Sequence, residues 1–291
     1  MCILHKLSGM IGMLACTVSA GVPLSGLADT TQATATSSPH TFTSNAGVLS
    51  NYIFRGLTQS WNHPAIQGGV DYTHGSGWYA GLLAYSVSNK QYAHGWAELD
   101  YYGGYNGKFT DDWSWTAGFL GAYYPGANYD HVNPAVAMNR HQTYNNFELN
   151  AGLGYKWMTL KVSVSLTDYY GDNTNTGYTS DSKGSTYLDW SANVPLPVAT
   201  FTNDVTLPLH IGRTHYTSKL ATPTPTGGID PDYTDYKIGI NKGFDGGWNL
   251  GAACTYANNK AVYNGVASAK SPSDTLNLGG GNVLLSIIKT F

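Results

Sequence analysis

The sequence is poor in charge. Of its 291 residues, 15 are Lys or Arg and 18 are Asp or Glu, 11% in all, where soluble domains carry roughly 25%. The net charge of −3 leaves no basic excess of the kind nucleic-acid binding requires. Cysteine is scarce too, with only Cys2, Cys16 and Cys254 in the chain. Beyond the N-terminus no apolar run approaches the ~20 residues that a transmembrane helix needs, and helical i, i+3, i+4 spacing is nowhere sustained. These shortages exclude a helical membrane protein. The 35 glycines, 22 tyrosines and 8 tryptophans exclude a disordered chain, which would lack aromatics.

The first residues read as an export signal. Lys6 precedes an apolar stretch from Leu7 to Val22, and Gly26-Leu27-Ala28 offers small residues for cleavage. The expected division is a signal peptide at 1–28, a Thr- and Ser-rich lead-in at 29–41 and one folded body at 42–291. Removal of the signal takes Cys2 and Cys16 with it. Cys254 then stands alone, so an internal disulfide framework is excluded.

The body alternates with a period of two. Val162-Ser163-Val164-Ser165-Leu166-Thr167, Asn146 to Leu153, Leu188 to Val194 and Val205 to Gly212 each place apolar and polar residues on opposite faces. The pattern predicts twelve strands, at 42–56, 64–74, 78–87, 95–106, 113–124, 144–156, 158–169, 185–195, 203–214, 234–243, 248–257 and 283–291. Connections after odd-numbered strands are long (125–143, 170–184, 215–233 and 258–282), whereas those after even-numbered strands are mostly short. Sorted loops, an even strand count and strands of about ten residues mark an all-β transmembrane antiparallel barrel, with long extracellular loops and short periplasmic turns.

Strand parity sorts the side chains. On the first strand Phe42, Ala46, Val48, Tyr52 and Phe54 fall on the lipid parity, and Asn45, Asn51 and Arg55 on the other. Arg55 is therefore expected in the lumen, at the extracellular end of a rising strand. Gln67 and Asp71 line the next strand inward, and Arg55 is expected to meet Asp71 across the first hairpin. The same rule turns Glu98, Asp100, Glu148, Lys156, Lys161, Asp189, Asp204 and Lys237 inward. Such a set suits a wet lumen and not an apolar core. It supports two readings: a network that stiffens the barrel, or a charged constriction that selects solutes.

The C-terminal stretch Val283-Leu284-Leu285-Ser286-Ile287-Ile288-Lys289-Thr290-Phe291 ends on an aromatic. It is similar to the last strand of outer-membrane proteins, and that similarity implies that Phe291 is a signal to the barrel-assembly machinery. Lys289 departs from the apolar parity, in a place where a lysine can snorkel. Tryptophans and tyrosines gather at strand ends, as the aromatic girdles of a barrel require.

The stretch "SNYIFRGLTQSWNHPAIQGGVDYTHGSGWYAGLLAYSV", followed by "AELDYYGGY", resembles the TorF-type porin family of Gram-negative bacteria. The resemblance rests on Tyr52, Phe54-Arg55-Gly56, Gln59, Pro64, Gln67-Gly68, Asp71-Tyr72, Ser76-Gly77, Tyr79, Gly81, Glu98-Leu99-Asp100 and Gly104-Tyr105. It covers about residues 44–106 and is only architectural beyond them. It implies an outer-membrane barrel with a channel role and carries over no catalytic residue.

Enzyme chemistry finds little support in the residues. There is no G-x-S-x-G elbow. His131 and His141 share a long loop with Asp130, while His210 and His215 sit near another, at spacings that match no zinc signature. They read as mobile loop histidines. No metal or cofactor is expected. The expectation is a bacterial outer-membrane channel, and not an enzyme, for passive diffusion of small hydrophilic solutes, in contact with outer-membrane lipid. A barrel enzyme acting on lipid and a structural or adhesive barrel without an open pore are the alternatives.

Overall fold

A computed structural model describes residues 38–136, 141–197, 204–221 and 228–291. The expected signal at 1–28 and the lead-in as far as residue 37 lie outside the described residues. The strands run β1 His40–Leu49, β2 Ile53–Phe54, β3 Leu57–Thr58, β4 Ala65–His74, β5 Trp78–Ser86, β6 Ala97–Lys108, β7 Trp113–Tyr123 and β8 Asn146–Tyr155. They continue with β9 Met158–Ser165, β10 Thr186–Pro195, β11 Val205–His215, β12 Tyr233–Phe244, β13 Trp248–Ala257, β14 Val266–Ser268, β15 Ser271–Leu276 and β16 Gly280–Thr290.

Among the described residues, twelve strands close an antiparallel barrel in the order β1-β16-β13-β12-β11-β10-β9-β8-β7-β6-β5-β4. Each of them pairs with its sequence neighbour, apart from two short hairpins. β1 closes the wall by pairing with both β4 and β16. Closure leaves no unpaired edge, which is what allows strands to cross a bilayer. The other four strands form the separate hairpins β2–β3 and β14–β15. One end of the barrel carries the connections 75–77, 109–112, 156–157, 196–204 and 245–247, with the start of β1 and the end of β16; it is called the lower end. The upper end carries 50–64, 87–96, 124–145, 166–185, 216–232 and 258–279.

The alternation of the sequence becomes an inside-out distribution of polarity. Val48, Ile66, Leu82, Leu149, Leu160, Val162, Leu188, Ile238, Ile240, Leu250, Leu285 and Ile287 all stand exposed on the outer wall. A soluble monomer rarely exposes a contiguous apolar patch beyond a few hundred Å², so this belt is built for an apolar surround. Trp78, Trp113, Trp157, Phe244, Trp248 and Phe291 are exposed around the lower rim. Three lysines meet that girdle: Lys156 over Tyr155, Lys242 over Phe244, and Lys289 between Trp248 and Phe291. Their stems lie along apolar surface while the ammonium groups reach the interface. Trp96, Tyr123, Tyr236 and Tyr256 are exposed towards the upper rim.

The first strand corrects the sequence reading. It was expected to run through residue 56, but β1 ends at Leu49 and the chain turns into the barrel. Residues 50–64 form an inward loop around the hairpin β2–β3, with Ile53 paired to Thr58 and Phe54 to Leu57. Its two turn residues, Arg55 and Gly56, have φ of 46° and 76°. Two consecutive positive φ values are the signature of the tight hairpin turn that matches strand twist, with glycine favoured at the second position. Tyr52 and Phe54 are therefore buried inside, at 1% and 7% exposure, and do not face lipid. Parity fails here because it assumes a continuous strand.

Candidate functional site in the barrel lumen

The hairpin reaches across the upper lumen. Tyr52 stacks on Tyr85 of β5 at 4.1 Å between ring centroids and donates its hydroxyl to Glu98 of β6 at 3.0 Å. On the other side Gly56 lies against β12 and β13, where an added Cβ would come within 2.5 Å of the Asp235 Cβ and 3.0 Å of the Ala257 Cβ. Only glycine fits that approach. Leu49, Tyr52, Phe54, Tyr85, Tyr92, Tyr124, Tyr144, Leu284 and Ile288 pack together inside the barrel, so its largest apolar cluster is built around the inserted segment.

Arg55 is the centre of the site. Its guanidinium holds Glu148 of β8 with two bonds, Nη1 to Oε1 at 2.8 Å and Nη2 to Oε2 at 2.6 Å. Nη1 also donates to the Tyr169 hydroxyl at 2.7 Å. The charged carbon lies 4.1 Å from the Tyr187 ring centroid and 4.9 Å from that of Phe54. Arg55 and Glu148 are 4% and 1% exposed, which makes this a desolvated, forked ion pair.

A second network flanks the first. His210 of β11 lies between Asp235, 2.8 Å from Nε2, and Asp189, 3.5 Å from Nδ1. Ser191 donates to Asp189 at 2.7 Å, and the Tyr187 hydroxyl donates to Asp235 at 3.0 Å. Gly212 makes room for this contact: a Cβ there would sit 2.1 Å from the Tyr187 hydroxyl. Lys161 is the cross-strand partner of Asp189, and Lys237 that of His210. On the opposite wall Glu98 and Asp100 share one face of β6, both buried. The two carboxyl groups lie within hydrogen-bonding reach of each other, and Glu98 also accepts from Tyr52.

Eight of the nine predicted lining residues lie on the less exposed parity of their strands and Arg55 reaches the lumen from a hairpin turn, and the nine fall into two groups. Arg55, Glu98, Asp100, Glu148, Lys161, Asp189 and Lys237 belong to the charged belt of the upper and middle barrel. Gln67 and Asp71 lie lower. Gln67 donates to Asn45 at 3.1 Å, and Asp71 accepts from Tyr102. The expected approach of Arg55 to Asp71 does not occur. Asp71 is six residues down β4 from Ala65, about 20 Å at ~3.3 Å per residue, while Arg55 stays at the upper end. Lys156 is not in the lumen either: it occupies a lower turn with φ 51° and pairs with Asp112 at 3.6 Å on the surface. Phe291 lies on the lower rim, its N–H bonded to the Ser44 carbonyl.

Asp235, His210, Tyr187 and Tyr169 belong to the site although sequence reasoning missed them. Asp235 was legible, because it takes the parity opposite to Tyr236, Ile238 and Ile240. His210, read as a loop histidine, is instead a strand residue with an enclosed side chain. Tyr169 arrives from a loop, where no periodicity signals it.

Above the belt the long loops meet in stacked tyrosines, Tyr129 on Tyr144 at 4.1 Å and Tyr92 on Tyr124 at 4.3 Å. Among them Asp172 accepts from the Tyr129 hydroxyl. Burial pushes its carboxyl up to about 7, against the hydrogen bonds of Tyr178, Tyr129 and Tyr216, which favour the ionised form. Among the described residues no group of three or more His, Cys, Asp or Glu is placed to hold a metal ion.

A family model described as "Bacterial protein of unknown function (Gcw_chp)" matches residues 32–291, and the chain belongs to that family. No curated protein matches it. Among solved structures, the chain is similar to the KdgM porin, at 7% identity over 86% of this chain and 99% of that one, with a TM-score of 0.49. It is similar to the NanC porin at 11% identity, over 86% and 99% of the two chains, TM-score 0.47. Similarity to OprD from Pseudomonas aeruginosa is looser, at 12% identity over 86% of this chain and 66% of that one, TM-score 0.37.

Proposed function

We propose that this member of the family is a bacterial outer-membrane channel for passive diffusion of small hydrophilic solutes, with its constriction at the Arg55 hairpin. The observation that carries this reading is the inversion of polarity: an apolar, aromatic-banded exterior around a polar and charged lumen. A wall of this kind has no stable place in water. An interior with Asn106, Asn193, Thr206, Asn241, Asn249 and Thr255 each holding a buried, unpartnered polar atom has no place without water inside it. The long-loop end is then extracellular and the lower end periplasmic. The likeness of residues 44–106 to TorF-type porins points the same way, and the exposed Phe291 on the last strand suits the assembly signal.

One constellation favours an enzyme reading. Ser191 Oγ, His210 Nδ1 and Asp235 make a serine–histidine–carboxylate series, with 2.9 Å between Ser191 and His210. Its geometry supports a clamp better. Both ring nitrogens of His210 face carboxylates, Ser191 directs its own proton to Asp189, and the group opens towards the lumen, away from lipid.

The test is reconstitution. Refolded protein should migrate faster on gels when unheated, fractionate with the outer membrane in cells, and conduct ions in planar bilayers. Folded protein that never conducts would refute the channel. Lipid turnover by the same preparation would revive the enzyme.

A further inference from the structure

Arg55 behaves like a ligand in a site with supports of its own. Glu148 is held by Asn146, which donates to Oε1 at 2.9 Å. Tyr187 is held by Asp235, and its hydroxyl lies 3.0 Å from His210 Nε2. The Tyr169 backbone N–H is anchored on Ser182 Oγ at 2.8 Å. Each wall of the cage thus has a support besides Arg55.

The occupant is also separate from the barrel's ladder. The barrel closes without residues 50–64, because β1 pairs directly with β4 from Leu49–Ala65 downward and with β16 from Leu49–Ser286. β2 and β3 pair only with each other. The loop's main chain touches the rest of the molecule at few points: Ser50 N–H to the Leu285 carbonyl, Thr58 N–H to that of Leu278, and Ser88 N–H to that of Gln59. The tip and its flanks are held by side chains and packing: Arg55 on Glu148 and Tyr169, Tyr52 on Tyr85 and Glu98, Phe54 in the apolar cluster, and Gly56 against Asp235 and Ala257.

The cage selects by shape as well as charge. A forked carboxylate matches the parallel N–H pairs of a guanidinium and not the point charge of an ammonium. The Tyr187 face takes the flat of the cation, and the Tyr169 hydroxyl accepts a third N–H.

We propose that Glu148, Tyr169 and Tyr187 form a guanidinium-binding site that Arg55 occupies in the closed channel, and that a small solute bearing a guanidinium group takes this site and releases the hairpin. This rests on the channel reading and names the solute class it favours.

The decisive protein is Arg55→Gln, which vacates the cage, compared with Arg55→Gln/Glu148→Gln. Calorimetry on the folded proteins in detergent, with methylguanidinium and methylammonium as probes, reads the site independently of conduction. Methylguanidinium should bind Arg55→Gln at least about tenfold more tightly than methylammonium does, as loss of a hydrogen-bonded charge contact implies. The double variant should lose that preference. In bilayers, methylguanidinium should impede potassium current through Arg55→Gln and not through the double variant. If Arg55→Gln does not fold, Arg55→Lys serves, since it keeps the charge but not the fork; methylguanidinium should then displace the lysine and raise the current. Equal binding of the two probes, or a preference that survives loss of Glu148, overturns the cage. Folded variants that bind methylguanidinium but never conduct overturn the channel and leave the cage standing.

Discussion

The two halves of the lumen are built differently. The lower half is lined mainly by neutral groups: Asn45, Asn106, Thr116, Asn193, Thr206, Asn241 and Asn249, with the buried Tyr79 and Ile288 among them and Asp71 held under Tyr102. The upper half holds the charged belt, the inserted hairpin and the tyrosines. In the lower half each residue is where its strand puts it. In the upper half position depends on partners 93 residues apart in sequence, as with Arg55 and Glu148. In the proposed channel the upper half, with its charged belt and hairpin, carries the groups that would discriminate among solutes.

Deleting the hairpin breaks the contrast most severely. With residues 52–62 replaced by a short Gly-Ser turn, β1 and β4 keep their ladder and the barrel should fold. Single-channel conductance should then rise several-fold, because the lower half alone limits flow. Unchanged conductance would place the constriction below the belt.

The wall is tested by arginine scanning. Val162→Arg on the outer face should cost about 2–4 kcal/mol in refolding equilibria, the penalty for a cation near mid-bilayer. Thr206→Arg on the lower lumen face should cost much less, since the new cation is surrounded by polar groups and not by lipid. Equal costs would mean that inner and outer faces are exchanged.

A smaller effect is expected from Arg55→Glu. It sets a carboxylate beside Glu148, and the two repel more strongly in the confined upper lumen than in bulk water. The reversal potential across a potassium chloride gradient should move towards cation selectivity, as acidic rings produce. An unchanged value in a folded, conducting variant would take Arg55 out of the ion path.

The smallest effect concerns the loops. Asp172 is raised to about 7 in the fold, above its value in an unfolded chain. The folded form therefore holds a proton that the unfolded form releases, and stability falls as pH climbs from about 4 to about 7. The heat-unfolding temperature of the wild type should drop between pH 5 and pH 7.5. Asp172→Asn should flatten that slope, and an identical slope in both would assign the pH response elsewhere.

Much of this was legible before folding. The strand expected at 248–257 matches β13, and most other strands are placed within one to three residues at each end. The rule that put Gln67, Asp71, Glu98, Asp100, Glu148, Lys161, Asp189 and Lys237 inward agrees with the alternation of their strands, in which the neighbouring apolar residues are the more exposed. The exceptions share a cause. At Tyr52, Phe54, Arg55 and Lys156 the chain has left the sheet, and parity has no meaning off a ladder. The turn signal Arg55-Gly56 was present in the sequence, but the alternating residues around it read equally well as one long strand.

The sequence by itself determined the wall. Side-chain alternation is a local property, and lipid outside with water inside sorts every strand by the same rule, whatever its neighbours. Only the tertiary structure decided the site. Closing twelve strands brings Glu148, Tyr187, His210 and Asp235 from separate strands around one lumen, and a hairpin from the first loop supplies the cation between them. The chain encodes no local pattern for that meeting, because charge pairing in a lumen depends on distance through space, and the barrel alone sets that distance.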